Sequence, residues 1–370
     1  MEVRCLRKMV VMHVHQTNRS MLQLTPKTSH SRSRSAARLS IGVIGAGEIS
    51  RKAHLPVLVN IPDVDIAWIY DRNPASARAL AEAYGLRALQ SLSPQALPTC
   101  DIVLLAIPVE SRGEYLNHLS SIGGAALCEK PFATSAAEHR RLIDQFTPHT
   151  LGAGFMRRFF RSTTLLRQIV TDGMFGPLLS IDISEGNRSK GSGVDSSFLD
   201  DPRLGASRGV LTDLGSHSID LALYVSAATG FEVQSCTKVL DGAVDRKVTA
   251  AVRLQTAANG SMPVELNYGV SWLDRQENRI QLTFEHTKVW SALAPTAEVF
   301  AGNPNSPQEA IRLSRQAPGA TTYNQAFYLE WQDFLAGFRA EREAITSARA
   351  ALLTTSLIEA LLAAGSTTHA

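Results

Sequence analysis

Three side chains in the middle of the chain have the types that oxidation or reduction of an alcohol needs. Lys130 follows a short apolar run, and Asp213 and His217 lie four residues apart, so that in a helix they share one face. An imidazole can take the proton of an alcohol because its pKa lies near neutrality, while a lysine ammonium can hydrogen-bond the reacting oxygen. Lys130, Asp213 and His217 are therefore the predicted catalytic residues, and Asp213 and His217 are also predicted to contact the substrate.

Each of these residues also has a plainer explanation. Lys130 could be a surface lysine after a strand, and His217 could be a core histidine with Asp220 paired elsewhere. An Asp-His-Asp face formed by Asp213, His217 and Asp220 could hold a metal ion, but the sequence offers no second cluster of ligands. We therefore predict no metal site.

A glycine-rich turn has the pattern of a dinucleotide-binding site. The apolar run Ile41–Ile44 stops at Gly45-Ala46-Gly47, and a helix-compatible run follows. Residues without a side chain let the backbone reverse sharply and approach a diphosphate, which the following helix N-terminus can bind. The third small position is Ser50, which is still small enough for close packing of helix on strand. An ordinary strand-to-helix turn remains the alternative.

The end of the second apolar run bears on the choice of cofactor. Val64–Tyr70 is followed by Asp71, whose carboxylate can accept hydrogen bonds from both ribose hydroxyls of an adenine nucleotide. Asp71 would repel a 2′-phosphate and so favours NAD, whereas Arg72 could stack on adenine or bind that phosphate. We predict NAD as the cofactor and leave NADP open.

Two kinds of sheet are needed to position these residues. Residues 39–154 alternate short apolar runs with helical stretches, which predicts a Rossmann domain, a doubly wound parallel sheet with its crevice at the carboxyl ends of the strands. In residues 155–370, longer alternating runs predict a second α/β domain with a largely antiparallel or mixed sheet. Helices are expected at Pro74–Tyr84, with Pro74 in the first turn and Gly85 at the end, and at Leu211–Ala228, Tyr323–Arg339 and Ser347–Ala364. A hairpin turn is expected at Asn259-Gly260 and a long loop at Ser184–Gly209.

Composition excludes several classes of function. The 370 residues carry a net charge of +3, much of it in the first forty residues, and no basic stripe interleaved with aromatics points to nucleic acid. No apolar run is long enough to span a bilayer, and the four scattered cysteines suggest neither disulfides nor zinc. A reduced, cytoplasmic location fits best. Residues 1–38 are expected to be a disordered extension or the product of an upstream start codon, with a transit peptide as the alternative.

Four motifs in this order resemble the glucose–fructose oxidoreductase, inositol dehydrogenase and MocA (Gfo/Idh/MocA) family. They are G-A-G-E-I with a downstream H-L-P, E-K-P at residues 129–131, G-F-M-R-R-F at residues 154–159 and D-L-G-S-H-S-I-D at residues 213–220. The resemblance implies a Rossmann domain followed by an α/β domain with an open mixed β-sheet. It also implies NAD(P)-dependent hydride transfer to or from a sugar, polyol or related small molecule, with Lys130 as the catalytic lysine, Asp213 binding substrate and His217 relaying the proton.

The predicted cofactor contacts lie at the same motifs and strand ends. They come from the glycine turn, the tips of the second and third strands and the E-K-P tripeptide, namely Gly45, Gly47, Glu48, Ile49, Asp71, Arg72, Ile107, Pro108, Glu129 and Lys130. The family often shows Pro-Asn-x-x-His after the third strand, whereas this chain has Pro108-Val109-Glu110-Ser111-Arg112. The missing Asn and His put the usual contacts at this point in question.

Several arginines suggest an anionic substrate. Arg208 precedes the predicted catalytic helix and, with Arg157, Arg158 and Arg188, could bind a carboxylate or phosphate, so Arg158 and Arg208 are predicted substrate contacts. In the alternative interpretation these arginines are solvated or paired. An open sheet face often forms a subunit interface, and a homodimer or homotetramer is therefore expected.

Two other classes of protein share this fold. One is a non-catalytic NAD(P)- or sugar-binding regulator, and the other is an NAD-dependent glycosidase. The presence of both Lys130 and His217 argues against a regulator, because a sensor has no chemical need for a proton relay. No residue pattern points positively to the glycosidase.

Overall fold

The computed structural model describes residues 38–187, 208–260, 262–313 and 318–369. The predicted N-terminal extension, apart from Arg38, lies outside these ranges, as do Arg188 and most of the predicted loop at Ser184–Gly209. None of the helices in the described ranges is long and apolar enough to cross a membrane.

The N-terminal sheet has five parallel strands in the order β2-β1-β3-β4-β5. They are β1 (Leu39–Ile44), β2 (Val64–Tyr70), β3 (Ile102–Leu105), β4 (Ala125–Glu129) and β5 (Leu151–Gly154). Strands β3, β4 and β5 are buried along their whole length, as expected for a parallel sheet covered on both faces. The predicted doubly wound architecture is confirmed, and it aligns the carboxyl ends of all five strands at one edge.

Four helices connect these strands. They are α1 (a π-helical turn at Ser50–His54 that continues as the α-helical Leu55–Leu58), α2 (Pro74–Tyr84), α3 (Gly113–Ser121) and α4 (Ala136–Gln145). Helix α2 has the predicted bounds: the Asn73 side chain caps its N-terminus, Pro74 lies in the first turn, and Gly85 at φ 66° ends it.

The second sheet has nine strands in the order β13-β12-β11-β10-β6-β9-β8-β7-β14. They are β6 (Leu178–Gly186), β7 (Ala228–Asp241), β8 (Val244–Thr256), β9 (Val264–Ser271), β10 (Arg279–Phe284), β11 (Lys288–Ala292), β12 (Phe300–Gly302), β13 (Ile311–Arg312) and β14 (Ser366–His369). Strand β6 pairs parallel to β9 and β14 pairs parallel to β7, while the other neighbours are antiparallel. The sheet is therefore mixed, as predicted.

Burial alternates along the central strands of this sheet, so that one face packs and the other stays open. In β8 every second residue is buried over most of its length. The packed face is covered by α5 (Arg161–Thr171), α6 (Val210–Ser226) and the last helix, α8 (Ala348–Ala363). The turn at Asn259-Gly260 joins β8 to β9 as predicted, whereas β7, β12, β13 and β14 had no predicted counterpart.

Residues near the C-terminus return to the N-terminal sheet. Helix α7 (Tyr323–Arg339) buries Trp331 and Phe334 in the same core as β1, and α8 contributes Ala348 and Ala351 to the core on the other face. The Phe334 ring lies so close to β5 that a side chain at Gly152 would meet it at 2.9 Å. Helix α8 also packs against α6 and β7, so it holds the two sheets together along with the β5–α5 connection.

Candidate active site

The glycine turn after β1 needs its first glycine for steric reasons inside the protein. Gly45 has φ 109°, and a Cβ there would lie 2.3 Å from the Ala106 carbonyl oxygen. The Ser50 hydroxyl donates to the Gly45 carbonyl at 2.6 Å and is fully buried. The serine at the third small position therefore packs as expected and also satisfies a backbone acceptor of the turn.

The second glycine faces open space. A Cβ at Gly47 would meet no atom within 4 Å. The chain enters α1 immediately afterwards, and the first N–H groups of a helix have no partner within the helix. A turn that leaves room above Gly47, in front of a helix N-terminus, fits the diphosphate of a dinucleotide.

Asp71 is fixed by the backbone of this turn. Its Oδ2 accepts from the Ala46 N–H at 2.7 Å, and its Oδ1 accepts from the Asn73 N–H at 2.8 Å. Each carboxylate oxygen keeps a second lone pair, so the group can still accept from ribose hydroxyls. Arg72 beside it is exposed.

The remaining cofactor candidates surround this turn. The Glu48 carboxylate is exposed and pairs with Arg51 and with Lys52, which lies 2.6 Å away, so its side chain is engaged by its own helix. Ile49 is 36% exposed, an apolar side chain at the mouth of the turn. Ile107 and Pro108 follow β3, and the Ile107 side chain lies 3.1 Å from the position of a Cβ on Gly45. The structure therefore gathers these candidates at one edge of the sheet.

Lys130 reaches from the end of β4 to the start of α6. Its Nζ lies 3.0 Å from both the Oδ1 and the backbone oxygen of Asp213. The two side chains are 19% and 20% exposed, which leaves this pair in contact with solvent. The structure thus brings together two of the three predicted catalytic residues, although 83 residues separate them in the chain.

The N-terminus of α6 is built by a residue from the sheet. The Asp245 Oδ2 accepts from the Leu211 N–H at 2.8 Å, and the N-cap residue Gly209 provides no side-chain bond. A Cβ on Gly209 would lie 1.5 Å from the Asp245 Oδ1, so only glycine fits at this point. Burial raises the pKa of Asp245. This cap from β8 fixes where Asp213 and His217 emerge.

His217 lies one turn after Asp213 and is half-buried against Phe155, with ring centroids 6.3 Å apart. Burial lowers its pKa well below the ordinary value, and the positive charges of Arg157 and Lys130 lower it further. Its Nδ1 is enclosed without a hydrogen-bond partner. The imidazole is therefore neutral at neutral pH and lies in the electrostatic field of Lys130.

Two arginines that were candidates for anion binding are already paired. Arg157 forms a buried two-pronged bond to Glu185 at 2.8 and 3.0 Å. Arg158 donates to Asp220 from Nε at 2.9 Å, and the side chains of this pair are 4% and 2% exposed. Asp220 and backbone carbonyls occupy the donors of Arg158, which favours the alternative in which this arginine is paired over the prediction that it contacts the substrate.

Arg208 is the remaining described arginine of this group. It is half-buried and immediately precedes Gly209, the N-cap residue of α6. It therefore lies just before the helix that carries Asp213, as the sequence predicted.

No group of three or more His, Cys, Asp or Glu side chains in the described ranges could hold a metal ion. The Asp-His-Asp face is broken up because Asp220 pairs with Arg158 and Asp213 pairs with Lys130.

Sequence reasoning missed several residues that build the site. Glu185 and Asp245 lie in β6 and β8, and only their distant partners give them a role. His54 belongs to the H-L-P motif, and Arg112 occupies the segment that departs from the family pattern; both were visible in the sequence without an assigned role. Their contacts lie around Lys130.

Two family models match the chain. Residues 39–150 match the model described as an oxidoreductase family with an NAD-binding Rossmann fold, and residues 163–288 match the GFO/IDH/MocA C-terminal domain. Together the two ranges cover more than half of the 370 residues.

Among curated proteins, the chain is similar to dehydrogenases of polyols and sugars. It is 26% identical over 226 residues to an inositol 2-dehydrogenase of Rhizobium meliloti, a match that covers 59% of this chain and 65% of that protein. It is 26% identical over 286 residues to a D-glucoside 3-dehydrogenase of Escherichia coli, covering 72% of this chain and 79% of that protein. The first match spans slightly less than two thirds of the relative.

A solved structure has the same fold. A 3-ketoreductase from Actinomadura kijaniata, in complex with NADP and TDP-benzene, superposes with a TM-score of 0.73 over 90% of this chain and 99% of that chain. The two are 18% identical in sequence, so the likeness is one of fold.

Proposed function

The chain belongs to the Gfo/Idh/MocA family of oxidoreductases, and from that premise we propose that it transfers hydride between a nicotinamide cofactor and a secondary alcohol or ketone of a sugar- or polyol-like molecule. The observation that carries the proposal is the pair of Lys130 Nζ and Asp213 Oδ1, 3.0 Å apart, beside a His217 imidazole whose pKa is held low. This group lies at the carboxyl edge of the sheet that bears the glycine turn.

In this proposal each side chain has a separate task. The neutral His217 accepts the proton of the substrate hydroxyl during oxidation and returns it during reduction. The Lys130 ammonium hydrogen-bonds the reacting oxygen, and Asp213 orients that ammonium while it accepts from a neighbouring hydroxyl. Bound cofactor supplies or accepts the hydride at nicotinamide C4. The lowered pKa keeps His217 deprotonated at neutral pH, so the imidazole is in the form that can accept the proton.

For the cofactor we propose NAD over NADP. Asp71 is held at the tip of β2 by two backbone N–H groups, which keeps a negative charge where a 2′-phosphate would lie. A titration of the purified protein with NADH and NADPH, followed by nicotinamide fluorescence, tests the choice. Tighter binding of NADPH would contradict it and would make Arg72 the residue that decides.

For the substrate we propose a hydroxyl-rich ring. Whether this ring also carries a negative charge is tested at Arg208, which is half-buried beside the N-cap residue of α6. Arg208→Ala is expected to raise KM for an anionic substrate and to leave KM unchanged for a neutral one. Paired measurements with a sugar and its phosphate ester separate the two cases.

We further propose that the open face of the nine-stranded sheet pairs with a second copy of the chain. This face carries a depression of about 410 Å³ lined by polar side chains, among them Asp182, Asn267 and Gln281. Asp182 accepts from Asn267 at 2.8 Å, so these polar groups are already ordered for contact. Light scattering of the full chain tests the proposal, and a monomer at micromolar concentration would refute it.

The catalytic proposal is tested with Lys130→Met and His217→Ala. Both variants are expected to lower kcat sharply, while thermal stability and dinucleotide affinity stay near those of the unmodified protein. Normal turnover in both variants would refute the assignment. Dinucleotide binding without turnover on any polyol or sugar would favour a regulator, and release of a free sugar without net change in cofactor would indicate a glycosidase.

A further inference from the structure

Arg112 is a buried cation whose hydrogen bonds within the described ranges all go to backbone carbonyls. It follows the end of β3 and is 3% exposed. Its Nε donates to the Ile107 carbonyl at 2.8 Å, and its Nη1 donates to the carbonyls of Pro131, at 2.6 Å, and of Glu129. Two of these three carbonyls belong to the residues directly before and after Lys130.

This arrangement is costly for the charge and therefore needs an explanation. Burial lowers the pKa of Arg112, and its hydrogen bonds go to neutral acceptors and not to a carboxylate. A guanidinium offers five donors in a rigid plane, so one side chain can tie several carbonyls at fixed directions. Arg112 connects the segment after β3 to the backbone on both sides of Lys130.

A second contact binds the backbone N–H of Lys130. The Lys130 N–H donates to Glu129 Oε2 at 3.0 Å, and the other oxygen of Glu129 lies 2.9 Å from His54 Nε2. The Trp331 indole N–H donates to His54 Nδ1 at 3.0 Å. Because an indole nitrogen can only donate, Nδ1 is the acceptor of this bond. In the neutral ring Nε2 then carries the hydrogen and donates it in the hydrogen bond to Glu129.

The Trp331 contact brings a helix near the C-terminus to the residues around Lys130. Trp331 is fully buried in α7, which lies more than 190 residues after Lys130 in the chain and packs against the N-terminal sheet. The His54 ring packs edge-on against Trp331, with ring centroids 6.0 Å apart. Through this contact, the position of α7 fixes the His54 ring, and the ring fixes the Glu129 carboxylate that accepts from the Lys130 N–H.

We infer that Arg112, together with the Trp331–His54–Glu129 series, positions Lys130, so that Nζ meets Asp213 and the reacting oxygen. The inference rests on the proposed function, in which Lys130 touches the substrate. Lys130 lies just beyond β4, where no strand pairing fixes its backbone. The bonds from Arg112 to the neighbouring carbonyls and from the Lys130 N–H to Glu129 hold the backbone there instead. These are positioning residues: they act through Lys130 and touch no reacting atom.

The first test removes the arginine. Arg112→Met keeps the length of the side chain but loses every donor, and Arg112→Lys keeps the charge but cannot bridge three carbonyls. Since misplacement of a catalytic group by about 1 Å can cost on the order of 10²-fold, Arg112→Met is expected to lower kcat by roughly that factor, and Arg112→Lys by less. Dinucleotide affinity should stay within about threefold. Arg141→Met, an exposed arginine on α4, is the matched control and should keep full activity.

The decisive experiment is a double-mutant cycle with Lys130. If Arg112 acts through Lys130, Arg112→Met in a Lys130→Met background should change kcat by less than about twofold, whereas independent effects would multiply. Trp331→Phe, which keeps an aromatic ring but removes the N–H donor, should give a smaller loss of kcat with the same dependence on Lys130. Multiplicative effects in both cycles would overturn the inference.

A structural measurement separates this inference from the proposed function. In a crystal structure of full-length Arg112→Met, the distance from Lys130 Nζ to Asp213 Oδ1 should exceed the 3.0 Å found here. An unchanged distance would overturn the inference whether or not the protein oxidises polyols. The distance could instead change in the variant while the unmodified protein binds dinucleotide but turns over no sugar or polyol. That result would refute the proposed function and leave the positioning role intact.

Discussion

Two aspartates on α6 are predicted to respond in opposite ways to the same substitution. Asp220 lies seven residues after Asp213 on this helix, and its carboxylate accepts from Arg158 Nε at 2.9 Å and from the Thr354 hydroxyl at 3.0 Å. Asp220→Asn removes the negative charge and leaves the Arg158 guanidinium buried without compensation. Removing one partner of a buried ion pair typically costs about 3–5 kcal/mol, and we expect a loss of that order.

Asp213→Asn is the matched comparison. Its partner Lys130 lies 3.0 Å away, but both side chains keep about a fifth of their exposure, so water partly replaces the lost charge. The expected loss of stability is at most about 1 kcal/mol. Turnover should fall by roughly 10²-fold or more, because the ammonium loses the group that orients it at the substrate.

The assay compares the free energy of unfolding with turnover for both variants. Urea unfolding followed by circular dichroism at neutral pH gives the stability difference, and kcat is measured at a temperature where both variants are folded. Asp220→Asn is expected to be less stable than Asp213→Asn by about 2–5 kcal/mol, yet more active. Equal stability of the two variants, or a stable but inactive Asp220→Asn, would refute the structural role given to the Arg158–Asp220 pair.

Three further predictions concern the glycine turn and two histidines. Gly45→Ala should destabilise the fold, because its Cβ would lie 2.3 Å from the Ala106 carbonyl, whereas Gly47→Ala should keep the unfolding midpoint and weaken only the dinucleotide Kd, as a fluorescence titration would detect. Burial lowers the pKa of His139 to about 4, so the unfolded state binds the proton first; stability is intact above about pH 6.5 and falls from there toward pH 4, and His139→Gln should flatten that slope in urea unfolding. The pKa of His217 is also low, so the pH profile of kcat/KM for alcohol oxidation should stay flat below pH 6.5, and a drop centred at or above that value would contradict its role as the base.

Some predictions from the sequence succeeded because the signals were local. The turn Gly45-Ala46-Gly47 lies between an apolar run and a helix, and this short pattern was enough to predict the start of the Rossmann sheet. The structure has β1, the turn, α1 and β2 in that order. Helix α2 was predicted to the residue because Pro74 and Gly85 each act on the backbone beside them. Such signals need no knowledge of the rest of the chain.

The arginines illustrate what local patterns could not decide. Arg157 and Arg158 are adjacent and identical in type, and the sequence could not show that each would be neutralised by a different acid, Glu185 for one and Asp220 for the other. Strand β7 was also missed, since much of its length is only half-buried and its pairing depends on β8 and on β14 at the far end of the chain.

By itself the sequence predicted the two-sheet α/β architecture, proposed the glycine turn as the dinucleotide site and identified Lys130, Asp213 and His217 as candidates. Only the tertiary structure decided that Lys130 meets Asp213 across 83 residues, and that Arg112, Glu129 and Trp331 hold the Lys130 backbone in place. The physical reason is range: residue type and spacing govern turns, caps and periodicity, whereas burial and charge pairing depend on which distant segments the fold brings into contact.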